Sequence, residues 1–279
     1  MKKNLFVIFY YPYLFIKFLF RKFINNTQLR VLIFHDIKPE EKTKFLNLIN
    51  YIRKKWTILS PIDFLEMIEK KNKPKGKFLM ISFDDGFKSN ESISKLLKKK
   101  YNITALFFVI TNFIKIKNKN ESNRFAREKI NNYEENLFNL NEDDINLMIN
   151  DGHIIGSHTC DHNNLSSLNK KELKIELLNS KKFIEYNYKI ICNNFAIPYG
   201  NINSYCTKSV SEMKKNYKYI YTGLRGNNNN YHKDLFLKRD SINLNYSILF
   251  NSLCIEGFFD WYYFLSNKKT SSIFNTHVK

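Results

Sequence analysis

A chain of 279 residues with 43% hydrophobic content holds one large domain or two small ones around a sizeable core. Its net charge of +19 favours anionic partners. There is no zinc-finger spacing and no RNP-type strand, so no nucleic acid is expected and an anionic membrane surface is the better partner. The cysteines Cys160, Cys192, Cys206 and Cys254 form no CxxC pair, which points to reduced thiols and away from a disulfide scaffold.

The chain opens on Lys2-Lys3-Asn4, then an apolar stretch from Leu5 to Phe20 that contains Pro12 and Lys17, then Arg21-Lys22. This stretch falls just short of the usual spanning length, and Pro12 would kink a helix there. It reads as an interfacial or signal-anchor segment, residues 1–28, ahead of a domain at 29–279. No small-residue cleavage site follows it. With the free thiols, that points to the cytoplasm or the cytoplasmic face of a bacterial inner membrane, with the cell-envelope side left open.

Leu29 to Phe34 is a β-rich run ending at His35-Asp36, and helical spacing of apolar residues follows at Phe45–Arg53 and Pro61–Lys71. Lys77 to Phe83 reads as a nearly continuous apolar strand that runs into Asp84-Asp85-Gly86. A helix is expected from Ser89 to Lys100 and a strand from Thr104 to Ile110. Residues 115–135 are polar and charged and read as an exposed loop. Asn141, followed by Glu142, Asp143 and Asp144, is a helix N-cap signal, and Gly152 is the matching stop.

A strand at His153–Ser157 then delivers His158-Thr159-Cys160-Asp161-His162. Further on come an amphipathic helix at Lys170–Asn187 and a short strand at Asn194–Ile197 that enters Pro198-Tyr199-Gly200. A helix at Ser204–Lys215 precedes strands at Tyr219–Thr222 and Leu235–Arg239. The chain closes with a helix at Tyr246–Leu265 and a final strand at Ser272–Asn275 ahead of His277.

Strand and helix alternate with no internal repeat and no linker, which predicts parallel strands with helical crossovers. About seven strands point to an α/β fold of the (β/α) barrel type. In a barrel all strand C-termini share one face. Asp84, Asp85, His158, His162, Pro198, Tyr199 and His277 each follow an apolar strand and are expected to converge there. Two imidazoles and a carboxylate hold a divalent cation with positions left open. A second carboxylate then remains to take a proton from water acidified by the cation. Zinc is the first expectation, with Fe, Co, Mn or Ni also fitting.

These residues carry a resemblance. Ser82-Phe83-Asp84-Asp85-Gly86 resembles the T-F-D-D-G motif of the polysaccharide deacetylase family (NodB-homology domain, carbohydrate esterase family 4). His158-Thr159-Cys160-Asp161-His162 resembles its H-[ST]-x-x-H motif. Phe195-Ala196-Ile197-Pro198-Tyr199-Gly200 is similar to R-x-P-Y-G, with Ala196 in place of the arginine. The run Val31–His35 is similar to the first strand of one branch of the family.

The resemblance implies a deformed (β/α) barrel and metal-dependent removal of N-acetyl groups from an amino sugar, in a polysaccharide or a lipid-linked precursor. It implies Asp84 as general base, Asp85, His158 and His162 as metal ligands, and the Tyr199 N–H beside Pro198 as oxyanion donor. His277 would be the late acid. Arg239 or Lys238 is expected to brace Asp84 in place of the missing arginine. The alternatives are a deformylase of a lipid-linked amino sugar, a catalytically degenerate carbohydrate-binding relative, and an Fe(II) facial triad.

Overall fold

The computed structural model describes residues 27–130 and 138–276. The apolar stretch at 5–20 and His277 lie outside the described residues.

The strands are β1 (Gln28–Phe34), β2 (Thr57–Ile58), β3 (Lys77–Phe83), β4 (Leu106–Val109), β5 (Ile154–Ser157), β6 (Asn194–Ala196), β7 (Tyr219–Tyr221) and β8 (Asp240–Ser241). They form one sheet in the order β7-β6-β5-β4-β3-β1-β8, with β2 on β3, and each named pair is parallel. The stretch from Leu237 to Ser241 joins the two edges. Leu237 bridges Tyr221 of β7, while Asp240 and Ser241 pair with Leu32 and Ile33 of β1. The result is a deformed (β/α) barrel.

The strands read as unbroken apolar runs because both faces are buried. Leu29, Val31, Met80, Leu106, Phe108, Tyr219, Tyr221 and Leu237 fill the barrel interior. Leu32, Phe34, Leu79, Ile81, Phe83, Phe107 and Val109 pack outward under the helices. Strand side chains alternate faces, so the inward set extends one step to Asp84 after Met80 and Ser82, to His35 after Val31 and Ile33, and to Arg239 after Leu237. Alternation alone therefore puts a carboxylate, an imidazole and a guanidinium over the mouth of the barrel.

Several elements differ from the sequence reading. The polar stretch at 115–135 is not a plain loop. Asn118 caps a helix at Lys119–Phe125 through the amides of Asn120 and Glu121, and a π-type turn at Ala126–Ile130 follows. The expected strand at Leu235–Arg239 keeps only the Leu237 bridge, and regular pairing starts at Asp240. The expected helix at Tyr246–Leu265 is broken. It spans Ile248–Ile255, ends at Gly257 with φ +82°, and resumes after a 3-10 turn at Asp260–Tyr263. The expected last strand at Ser272–Asn275 is the end of a helix, Phe264–Asn275. Thr270 and Phe274, one helical turn apart, both face the core, so tertiary packing overrides the local β preference.

Candidate active site

The motif at the end of β3 turns sharply. Asp85 has φ +75° and Gly86 has φ +89°, a region where most side chains are strained. The turn brings the Asp85 carboxylate back toward the barrel mouth beside Asp84. Thr159 (φ +71°), His162 (φ +57°) and Tyr199 (φ +61°) share this conformation. The other non-glycine cases among the described residues, Asn102, Lys189 and Leu235, are helix C-caps. Backbone strain that ends no helix is thus gathered at one site.

Asp85 Oδ1 lies 3.5 Å from His158 Nε2 and 3.7 Å from His162 Nε2. One ligand atom from each of these buried residues falls within 4.8 Å of the others. His158 Nδ1–H donates to the Ala196 carbonyl at 2.8 Å, and His162 Nδ1–H donates to the Lys129 carbonyl at 2.9 Å. Each bond fixes the tautomer that leaves Nε2 with its lone pair facing Asp85. Burial lowers the pKa of His158 to about 3 and that of His162 to about 4, so both rings are neutral, as metal ligation requires. Burial and the charge of Asp84 push the Asp85 carboxyl well above its ordinary range. A desolvated carboxylate beside a second one and facing two imidazole lone pairs could hold a divalent cation.

Asp84 is set apart from this trio. Its Oδ2 is 3.9 Å from His158 Nε2, and both its oxygens accept from Arg239, at 2.6 and 2.8 Å. Burial alone would raise the Asp84 pKa, but the Arg239 charge and these hydrogen bonds outweigh it and hold the carboxyl below its ordinary value. Arg239 Nε donates to the Thr222 carbonyl at 3.0 Å. The guanidinium also lies against the rings of Phe108 and Tyr221. It does what the arginine missing at Ala196 would be expected to do, whereas Lys238 turns away to pair with Asp234.

These groups line a cavity of about 390 Å³ together with His35, Tyr199, Gly200 and Gly223. Pro198 is buried beneath the turn and is not among the lining residues. The Tyr199 ring lies 4.7 Å from the His162 ring, tilted 57° to it. Behind it, Gly200 must be glycine: with φ +59°, a Cβ there would sit 2.3 Å from the Gly223 backbone nitrogen. A larger hollow of about 850 Å³, lined by Lys88, Lys115, Phe138 and Phe183, contains no imidazole. The chemistry belongs to the smaller cavity.

Asp161, inside the histidine motif, is not part of the cluster; it accepts from Asn112 Nδ2 at 2.8 Å. Cys160 also faces away, its thiol toward the Ile175 carbonyl.

Three contributors escape the sequence reading. His35 reaches solvent at the cavity, yet crowding by protein and the nearby Arg239 charge lower its pKa, against the opposing pull of Asp84. Only its position at a strand end marks it. The Lys129 carbonyl is a backbone atom and carries no sequence signal. Buried Glu176 accepts from the amides of Cys160 and Asp161 at 2.9 and 3.0 Å and from the Asn163 side chain at 2.8 Å, so it holds the loop between the histidines. Glu176 interrupts the apolar stripe of Leu173 and Leu177, which is the available signal.

The family profile "Polysaccharide deacetylase" matches residues 71–218, over half the chain, including both the Asp84-Asp85-Gly86 and the His158–His162 motifs. The chain belongs to the polysaccharide deacetylase family. A Bacillus subtilis protein described as a polysaccharide deacetylase, YxkH, is 24% identical over 191 residues, which is 66% of this chain and 61% of that relative. Among solved structures, the Streptococcus pyogenes deacetylase PplD in complex with acetate superposes with TM-score 0.64 at 20% identity, covering 81% of this chain and 96% of that one. IcaB from Ammonifex degensii superposes with TM-score 0.65 at 18% identity, covering 83% and 98%. At these identities the structures establish the shared barrel.

Proposed function

We propose that this deacetylase-family chain is a metal-dependent amide hydrolase that removes the acetyl group from an N-acetylated amino sugar. The observation that carries the reading is the separation of two adjacent carboxylates. Asp85 joins His158 and His162 in a ligand set, while Asp84 is kept out of it and kept ionised by Arg239.

Asp85, His158 and His162 would hold the cation; zinc suits two imidazoles and one carboxylate best. When bound, the cation supplies Lewis acidity that lowers the pKa of water and polarises the acyl oxygen. The protein's own groups do the rest. Asp84 accepts a proton from the attacking water. Its pKa is low, so it is a weak base that is always available, and it works only on a water already made acidic. The Tyr199 N–H, at the strained turn, takes the role of donor to the oxygen that gains charge. The water oxygen bonds the acyl carbon and the carbon–nitrogen bond breaks. The leaving nitrogen takes its proton from a late acid, the role expected of His277, which lies outside the described residues. The products are acetate and a free amine, and the solved PplD relative is a complex with acetate.

The cavity lies at the small end of the range for small-ligand sites, about 300–1,000 Å³, and suits an acylated sugar unit. The test is acetate release from N-acetylglucosamine oligomers and from lipid-linked N-acetyl sugars, before chelation, after it, and after adding back zinc. The reading expects release that chelation abolishes and zinc restores. Release that survives complete chelation would overturn it.

A further inference from the structure

The barrel end opposite the cavity carries three features that the hydrolytic reading does not use. Trp261, Tyr262, Phe264 and Leu265 are consecutive or nearly so and stand 72, 70, 64 and 75% exposed. Four large apolar side chains left to water on one turn are not ordinary surface. The turn is rigidly mounted, since Asp260 accepts two hydrogen bonds from buried Arg30, at 2.8 and 2.6 Å, and Arg30 also pairs with buried Asp240.

Next to it lies the basic loop Lys70-Lys71-Asn72-Lys73-Pro74-Lys75-Gly76-Lys77. Lys77 pairs with Glu256, at the start of the same turn, at 2.8 Å. The described chain begins at this end too. Thr27 donates to the Pro74 carbonyl at 2.7 Å and Gln28 N–H to the Gly76 carbonyl at 2.9 Å. The first described residues, Thr27 and Gln28, are thus held against the lysine loop.

We infer that this end of the barrel is a docking face for an anionic lipid bilayer. Trp and Tyr suit the headgroup boundary, and Phe and Leu suit the acyl edge. Each lysine near an anionic surface adds attraction that salt screens. On this inference the folded domain lies on the surface; no helix among the described residues is long and apolar enough to cross a membrane. β1 runs from this face to His35, roughly 20 Å at about 3.3 Å per residue. The cavity mouth then opens away from the bilayer, toward sugars that stand clear of it. This inference does not rest on the hydrolytic reading.

The chain's two tryptophans provide the test, because Trp56 is buried and Trp261 is exposed. Full-length protein is mixed with vesicles of phosphatidylcholine alone or with phosphatidylglycerol. Tryptophan emission, iodide quenching and co-sedimentation are then recorded. Binding is expected only with the anionic vesicles, with emission shifted to shorter wavelength and iodide shut out. It should weaken at least tenfold in Trp261→Ser/Leu265→Ser, in Lys70→Ser/Lys71→Ser/Lys75→Ser, and in high salt. Acetate release from soluble oligomers should be unchanged in both variants.

Binding that both variants retain would overturn the inference and leave residues 5–20 as the sole anchor. Trp261 already shielded without vesicles would also overturn it. Dependence of that shielding on protein concentration would then identify a second copy as the cover, and its absence would identify the chain's own N-terminal segment.

Discussion

His153 and the pair His158/His162 lie on the two sides of one short strand, and the fold treats them in opposite ways. All are buried, and burial lowers each pKa, to about 4, 3 and 4 respectively. His153 uses both ring nitrogens on backbone: Nδ1 accepts from the Ala105 N–H at 3.0 Å and Nε2–H donates to the Ser94 carbonyl at 3.2 Å. That imidazole is fully occupied as a structural brace between β4 and the helix at Ser89–Tyr101. His158 and His162 each use only Nδ1, and their Nε2 atoms face a carboxylate. A buried histidine is marked as a ligand by the nitrogen that the fold leaves unspent, more than by burial or pKa.

The largest expected effect lies on the reserved side. Asp84→Asn should lower kcat/KM by about 10²–10⁴, the usual contribution of a general base, and retain the cation. Arg239→Leu comes next. Breaking a buried ion pair from one side typically costs about 3–5 kcal/mol, so a marked drop in denaturation midpoint is expected. With the guanidinium gone, burial raises the Asp84 pKa. Activity in that variant should then fail first at acidic pH, its acid limb shifted to higher pH than in the wild type. An unshifted acid limb would mean that Arg239 does not set the ionisation of Asp84.

Gly200→Ala should lower kcat by roughly tenfold to a hundredfold, because its Cβ would meet the Gly223 backbone and displace the Tyr199 turn. Crystal structures of the variant would locate the shift.

The smallest effect on catalysis lies on the spent side. His153→Gln should leave cation content and neutral-pH activity intact and change only stability. The folded pKa of His153 is about 4 against an ordinary 6.5, so the unfolded chain binds the proton first. The stabilisation is complete above about pH 6.5 and is lost as pH falls toward 4; it amounts to roughly 3 kcal/mol. Urea midpoints of wild type and variant should therefore converge as pH falls from 7 to 4.5. A constant gap would show that the brace acts without regard to protonation.

The contrast also explains how much was legible in the sequence. The Asp84-Asp85-Gly86 and His158–His162 motifs stood out because each follows an apolar run. Alternation along β1, β3 and the stretch after Leu237 predicts which side chains reach the barrel mouth. Arg239 was accessible by the same reasoning. What separates His153 from His158 was not, since the partners are backbone atoms of Ala105, Ser94, Ala196 and Lys129, and a backbone carbonyl has no letter of its own. The helix that delivers Lys129 read as loop for the same reason: its cap and π-type turn are local geometry within a polar composition. At the C-terminal helix Ile273 and Phe274 favour a strand locally, while packing of Thr270 and Phe274 decides the outcome.

The most direct measurement is cation content by elemental analysis, taken on wild type, Asp84→Asn, His158→Ala and His153→Gln purified side by side. The predicted result is one equivalent of a divalent cation in wild type, Asp84→Asn and His153→Gln, and its loss in His158→Ala. Loss of the cation in Asp84→Asn, or its retention in His158→Ala, would contradict the division of labour between the two carboxylates and between the spent and reserved histidines.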